Sequence, residues 1–288
     1  MTRPDRGGPG FLLNMAFTGA VSDKARNPAV PYSVEEILAD ARAATGAGVS
    51  VGHFHVRDDR GAASNDPARY ARLFAALRAC PETRDMVIVA STSGRHGQSL
   101  EERAAVLALP QAVRPDMASL TLSSLNFAGG PSVNSPDTIR ALARAMLEAG
   151  VRPELEVFDL GMVSFLHCLI GEGLVQPPFY VNVILGNLAG AQADALGLAA
   201  ILGSLPQGCI VSLGGIGAAQ GQAHLMALAL ADGLRTGLED NFRLPGAAEM
   251  TTNPAMAAHA AELARLSGRP LATVAEARRR LALGLRAP

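Results

Sequence analysis

The chain contains no tryptophan and only 4 % aromatic residues, so it offers few flat rings on which nucleic-acid bases could stack. Its three cysteines, Cys80, Cys168 and Cys209, are far apart, odd in number and without a CxxC pair. That argues against a disulfide framework and points to a reducing compartment, the cytoplasm. Neither sign of charge dominates: 25 basic and 26 acidic residues leave a formal net charge of −1, too small to draw nucleic acid or anionic lipid. The short run Arg278, Arg279 and Arg280 sits in a helical pattern and reads as a solvated face. No unbroken apolar stretch of about 18 residues occurs, so no membrane span is expected. The opening MTRPDRGGPG lacks the apolar run of a signal peptide.

What is present is apolar and regular. Hydrophobic residues make up 49 % of 288 positions and charged residues 18 %, enough for a large core and too apolar for long disorder. Short β-like runs at 11–17, 49–56, 86–90, 117–122, 155–158, 180–185, 210–213 and, weakly, 234–237 alternate with helical patterns. Alternation of this kind predicts a parallel sheet with crossover helices. Ser33 with Glu36 and Ser99 with Glu102 have capping-box spacing, while Asp66-Pro67 and Ser135-Pro136 are helix starts. Gly46 reads as the stop of the first helix. Further helices are expected near 163–170, 194–202, 222–231, 254–266 and 274–283. Eight strands and at least eight helices predict one closed (β/α)8 barrel with an additional C-terminal helix over residues 1–288, a size ordinary for a fold of about 250 residues. The first strand lacks GxGxxG, and no Pro/Gly/Ser-rich linker divides the chain.

In such a barrel the chemistry belongs at the C-terminal strand ends. His53 and His55 lie at the end of the second run, two residues apart, so their imidazoles share a face and can grip one metal ion. A pair of hydrogen-bonded structural histidines has the same spacing. Glu239 and Asp240 follow the eighth run, which neighbours the first two in a closed barrel. Two His and one Glu would leave coordination positions open, as catalytic zinc sites do. Adjacent carboxylates cannot both face inward on a regular strand, so the chain should bend there. An acidic pair at a helix start is the plainer alternative. Arg235 is placed to orient a carboxylate or bind an anion, or to lie on the surface. Ser91, Thr92, Ser93 and Gly94 suit a carboxylate cradle or a simple turn. Glu156 should face the barrel interior and therefore need a partner. Gly214-Gly215-Ile216-Gly217 follows the seventh run, where barrels often hold phosphate. His96 sits in a glycine-flanked loop, and His167, His224 and His259 read as structural or surface groups. Cys168 is not poised by His167, because neighbours on a helix diverge.

These residues resemble a known family. TGA at 18–20, NPAVP at 27–31, HFHVRDD at 53–59, STSG at 91–94, SSLNF at 123–127, PELEVFDLGM at 153–162, ILG at 184–186, GGIG at 214–217, GLEDN at 237–241 and LATVAEARRRL at 271–281 are similar to the β-keto acid cleavage enzymes, the family named after 3-keto-5-aminohexanoate cleavage enzyme. The resemblance implies a TIM barrel, usually a homotetramer, with zinc on His53, His55 and Glu239. It implies Asp240 as the catalytic base poised by Arg235, with Glu156 assisting, and Ser91, Ser119, Thr121, Thr92 and Gly94 around the substrate. The implied reaction takes a β-keto acid and acetyl-CoA to acetoacetate and a new acyl-CoA. The named enzyme carries glutamate after its TGA, facing a substrate ammonium group. Val21 stands there in this chain, which implies an uncharged or apolar distal end. Thr121 stands where the family often has asparagine, and Ala218 where it has arginine. A zinc-dependent aldolase that dispenses with coenzyme A would use the same groups, and a non-catalytic barrel is the remaining alternative.

Overall fold

The computed structural model describes residues 8–284, so the opening residues 1–7 of the stretch read as lacking a leader lie outside the described residues. Eight parallel strands close into a barrel: β1 (Leu12–Ala16), β2 (Val51–Phe54), β3 (Val87–Ala90), β4 (Met117–Thr121), β5 (Arg152–Val157), β6 (Phe179–Leu185), β7 (Cys209–Gly215) and β8 (Gly233–Thr236). Each pairs with its sequence neighbour, and β1 closes the ring on β8 with Asn14 opposite Arg235. The crossovers carry α1 (Val34–Gly46), α2 (Pro67–Ala79), α3 (Leu100–Ala104), α4 (Pro136–Ala149), α5 (Leu160–Gly171), α6 (Ala195–Ser204), α7 (Ala219–Leu230) and α8 (Asn253–Leu266). A ninth helix, α9 (Val274–Arg280), follows the barrel. Among the described residues no helix is long and apolar enough to cross a membrane.

The capping signals work as their chemistry requires. Ser33 and Ser99 each accept from the backbone three residues on, and Glu36 and Glu102 return the bond. Asp66 and Ser135 cap α2 and α4 ahead of a proline. The stop after α1 differs from expectation. Gly46 is still helical, and Gly48, at φ 100°, turns the chain toward β2. The crossover after β3 is also shorter than expected, because α3 gives way to a 3₁₀ turn at Ala105–Ala108 before Pro110. Two short antiparallel hairpins, Val56–Arg57 with Ala63–Ser64 and Leu125–Phe127 with Gly130–Ser132, follow β2 and β4 at the C-terminal rim of the barrel.

The barrel interior is stratified. At the N-terminal end, Leu12, Val51, Val87, Val89, Met117 and Tyr180 pack with Ala272, Ala277 and Leu281. Helix α9 therefore plugs the bottom of the barrel. Phe11 holds it there through paired backbone bonds with Pro270 and Ala272. This corrects the reading of 278–280 as a solvated face for Arg278 and Arg280, while Arg279 is exposed. Arg278 is buried and meets Asp116 at 3.0 Å, while Asp116 also binds Arg78 at 2.6 Å; Arg280 reaches Asp232 at 2.8 Å. The plug packs its small apolar residues inward and pairs its cations with carboxylates at the strand starts. Periodicity showed the helix but not what lay beneath it.

Asp116 is the shared anion of that lower network. Burial alone would raise its pKa, but the charges of Arg78 and Arg278 and the bonds they donate hold it below the usual carboxylate range. The sign follows: stability from this group is full above the unfolded-state pKa and is lost as pH falls through the lower folded-state value. Asp116→Asn should cost about 3 kcal/mol in denaturant unfolding at neutral pH, because two guanidinium groups lose their counter-ion, and should flatten the loss of stability in acid. An unchanged unfolding midpoint would show the network to be idle.

Candidate metal centre

Above the apolar layer the interior turns polar. His53, Glu154, Asn14, Asn182, Tyr180, Ser212 and Arg235 are all buried. Most of their donors are paired within the group, while Asn14 Oδ1, Asn182 Oδ1 and Arg235 Nη1 are left without a hydrogen bond. Asn14 donates to Glu154 at 2.7 Å and to Tyr180 at 3.0 Å, Asn182 donates to Glu154 at 2.9 Å, and Tyr180 meets Ser212 at 3.1 Å. Glu154 was missed in the sequence reading, which began the fifth strand at Leu155. Period-two alternation back from Glu156 would have found it, since both carboxylates face inward from β5.

His53 stands on this platform. Its Nδ1 donates to Glu154 Oε2 at 2.6 Å, which leaves Nε2 to face the barrel mouth. His55, one residue beyond β2, brings its Nε2 to 3.3 Å from that of His53. Glu239 arrives from β8 through the expected bend. Gly237, at φ 137°, has no room for a side chain, since a Cβ would stand 2.1 Å from Ala16 O. The turn after it is held by Asn253, which accepts from Leu238 N at 2.9 Å, and by Glu239 N donating to Ala16 O. Gly19 of the TGA motif leaves the space that Glu239 fills, since a Cβ there would meet Glu239 Cγ at 2.8 Å.

Glu239 Oε1 lies 3.4 Å from His55 Nε2, and Oε2 lies 3.7 Å from His53 Nε2. A tetrahedral zinc with bonds of about 2.0–2.2 Å sets its ligand atoms about 3.3–3.5 Å apart, and the two imidazole nitrogens and the two Glu239 oxygens cluster at close to that spacing. Glu239 Oε2 is buried with no hydrogen-bond donor, an atom that a cation would satisfy. A second triad, His53, Glu154 and Glu156, is close enough to be considered, but Glu154 is already saturated by Asn14, Asn182 and His53. The electrostatics agree. Burial would lower the pKa of His53, yet the charges of Glu239 and Glu154 outweigh it and lift it to about 9. Burial lowers that of His55. Glu239 is held well below the carboxylate range against its own burial, by His55, His53 and Arg235. The cluster pulls a positive charge onto its centre, and a divalent cation competes for that place with the proton.

Beside this triad Arg235 is buried at the end of β8. It binds Asp240 in a fork, Nε to Oδ2 at 2.8 Å and Nη2 to Oδ1 at 3.0 Å, and its Nη2 also reaches Glu239 Oε1 at 3.0 Å. Its Nη1 lies 3.6 Å from Glu156 and is a buried donor without a hydrogen-bond partner. Glu156 accepts from the Thr121 hydroxyl at 2.6 Å. Burial raises the pKa of both Asp240 and Glu156 despite Arg235. His224, read as structural, bonds the Arg235 carbonyl at 3.0 Å from α7.

His53, His55, Glu156, Arg235, Glu239 and Asp240 open into one cavity of about 1470 Å³ at the C-terminal strand ends. Ser91, Ser119, Thr121 and Val21 line it, together with Ala218. Thr92 and Gly94 do not. The Thr92 hydroxyl is turned to the Ser119 carbonyl at 2.6 Å, and Gly94 is packed against the Arg103 guanidinium. Both shape the end of β3 rather than the cavity wall. The His96 ring bonds Ala20 O at 3.2 Å and joins two rim loops. His167 bonds Ser204 O, and the cysteines are free.

Comparison with known protein families matches residues 11–283 to the beta-keto acid cleavage enzyme family. The chain belongs to the β-keto acid cleavage enzymes. It is 35 % identical over 275 residues to a 3-keto-5-aminohexanoate cleavage enzyme of Fusobacterium nucleatum, covering 95 % of this chain and 98 % of that one. It is 34 % identical to a 3-oxoadipate:acetyl-CoA acetyltransferase of Cupriavidus necator, covering 94 % of each. Among solved structures, the apo structure of ObcA superposes with a TM-score of 0.77 at 21 % identity, over 90 % of this chain and 66 % of that longer one. That likeness concerns the fold alone.

His53, His55 and Glu239 are placed so that they could hold a metal ion, and zinc is the ion to test on this donor set. Glu239→Gln or His55→Ala should weaken zinc binding more than about 100-fold in chelator competition, and Glu154→Gln about 10- to 100-fold, because His53 loses the partner that orients it. Wild-type affinity in all three variants would remove the site.

Proposed function

We propose that the chain is a zinc-dependent acyltransferase that condenses a β-keto acid with acetyl-CoA and releases acetoacetate and a new acyl-CoA. The observation that carries this reading is the convergence of His53, His55 and Glu239 with the Arg235–Asp240 pair on one cavity floor. Imidazole and carboxylate donors with a place left open suit zinc. When bound, zinc supplies Lewis acidity to the keto and carboxylate oxygens of the substrate.

The chain's own residues supply the rest. Asp240 takes the proton from the carbon between the two carbonyl groups. Its raised pKa makes it a better base than an exposed aspartate, and the Arg235 fork fixes its direction. Arg235 Nη1, buried beside Glu156 without a hydrogen bond, retains a proton to donate to an oxygen that gains charge. The carbon then attacks the acetyl thioester carbonyl and coenzyme A leaves as thiolate. The thiolate attacks the original keto carbon, the old carbon–carbon bond breaks, and the proton held by Asp240 returns to the departing acetoacetate. Atoms balance with no other reactant. Ser91, Ser119 and Thr121 are the polar wall groups for the substrate, with Glu156 positioned by Thr121. The cavity exceeds the roughly 300–1,000 Å³ common for small-molecule pockets, which leaves room for the thioester arm. Val21 offers no carboxylate to a substrate cation. Self-association as a homotetramer is part of this reading on the resemblance.

Asp240→Asn should lower kcat at least about 100-fold while zinc content stays at one per chain. Turnover close to wild type would overturn the assignment of the base. Loss of β-keto acid should match acetoacetate formed and require acetyl-CoA. Cleavage without the thioester would instead mark an aldolase-type lyase.

A further inference from the structure

Most arginines around the cavity are accounted for. Arg235 is held by carboxylates, Arg57 donates to the carbonyls of Gly19, Ser22 and Gly61, and Arg103 donates to Thr92 O and Asn134. Arg26 and Arg243 are exposed on the rim. Arg95 is different. It lines the cavity and is half-buried, and its guanidinium has no hydrogen-bond or ion-pair partner among the described residues. A cation in that position has given up hydration without gaining a counter-ion.

It is nevertheless held in place. The guanidinium lies 3.7 Å from the centre of the Phe127 ring, a cation–π contact that leaves its N–H edges free. Phe127 is itself fixed edge-on against Phe158 at 5.7 Å, and its hairpin is tied to the loop after β6 by Asn187 donating to Asn126 O. The loop that carries Arg95 is anchored by Asn65 donating to Ser93 O and by His96 meeting Ala20 O. That last bond sets the Arg95 loop against the loop of Val21. So an unpaired, stacked guanidinium faces the cavity on the wall beside the residue that has no charge to offer.

We infer that Arg95 is a specificity-determining residue that binds a carboxylate at the distal end of the substrate, so that the preferred substrate is a 3-oxo dicarboxylic acid. The inference rests on the acyl-transfer reading of the same cavity. The metal ligands and Asp240 engage the β-keto acid end on the floor, and the far end of a linear substrate then runs up the wall. A planar guanidinium stacked on a ring presents its N–H fork to a carboxylate in two parallel bonds. This replaces the uncharged distal end expected from Val21 alone with an anionic one. Valine excludes a partner for a cation, but the charge that decides selectivity comes from the loop after β3, which meets the Val21 loop through His96 and Ala20.

The test uses two substrates of equal chain length, 3-oxoadipate and 3-oxohexanoate, with the zinc-loaded wild type and Arg95→Gln. Wild type should prefer the dicarboxylate by about 10-fold or more in kcat/KM. Arg95→Gln should lose about 10- to 100-fold on the dicarboxylate, less than about 3-fold on the neutral substrate, and keep the KM for acetyl-CoA. The neutral substrate thus reports on folding in the same variant. A wild-type preference for 3-oxohexanoate, or equal losses on both substrates, overturns the inference. A raised KM for acetyl-CoA with unchanged selectivity also overturns it and gives Arg95 to a coenzyme A phosphate. If neither substrate is turned over, the acyl-transfer reading falls. Calorimetric binding of the two acids without acetyl-CoA then decides Arg95 by itself: tighter dicarboxylate binding by wild type than by Arg95→Gln supports it, and equal binding refutes it.

Discussion

A buried guanidinium cannot shed its charge, so Arg235 dictates where the anions around it must lie. It binds Asp240 and Glu239 directly and stands near Glu156, while Glu154 sits one layer deeper under His53. Four carboxylates thus share the floor with a single arginine. Burial resists this by lifting Asp240 and Glu156 toward the neutral form, and His53 answers it by holding a proton. A divalent cation between His53, His55 and Glu239 relieves the same excess of negative charge without neutralising the base. The candidate metal site and the proposed base are therefore two parts of one charge balance.

The lower half of the barrel allows that balance to persist. Polar groups in a barrel core are tolerable only when their bonds are complete. Asn14 and Asn182 donate to Glu154, and Tyr180 with Ser212 holds Asn14, so that Glu154 can direct the His53 ring. Beneath them the apolar layer and α9 exclude water from the far end. The plug is fastened by Asp116 and Asp232 to arginines of one short helix, which separates the charges that stabilise the fold from those that face the substrate. This division is the usual one in such barrels, with stability at the strand starts and chemistry at the strand ends.

The periodic pattern of the chain was enough for the architecture. Seven of the eight strands are strong apolar runs, and capping residues such as Ser33 and Ser99 act through atoms three residues away, so their meaning is local. His53 and His55 were legible for the same reason, since strand alternation puts them on one face. Glu239 and Asp240 needed the closure of the barrel as well, because only the pairing of β8 with β1 and of β1 with β2 brings them to the histidines. Thr92 and Gly94 adjoin the cavity wall without lining it, since the Thr92 hydroxyl donates to Ser119 O and Gly94 packs against Arg103. Arg278 looked solvated because a helical repeat does not reveal which face meets the barrel bottom.

The sequence by itself determined the fold class, the order of the elements, the family and the identities of the candidate ligands, because each is written in residue type and short-range spacing. Only the tertiary structure decided the roles of Glu154, Arg278 and Arg95. Each depends on what stands opposite a side chain across tens of residues: a histidine for Glu154, a carboxylate for Arg278, and an aromatic ring with open space for Arg95. Charge in a protein interior takes its meaning from its partner, and partners that are remote in the chain become visible only once the barrel has closed.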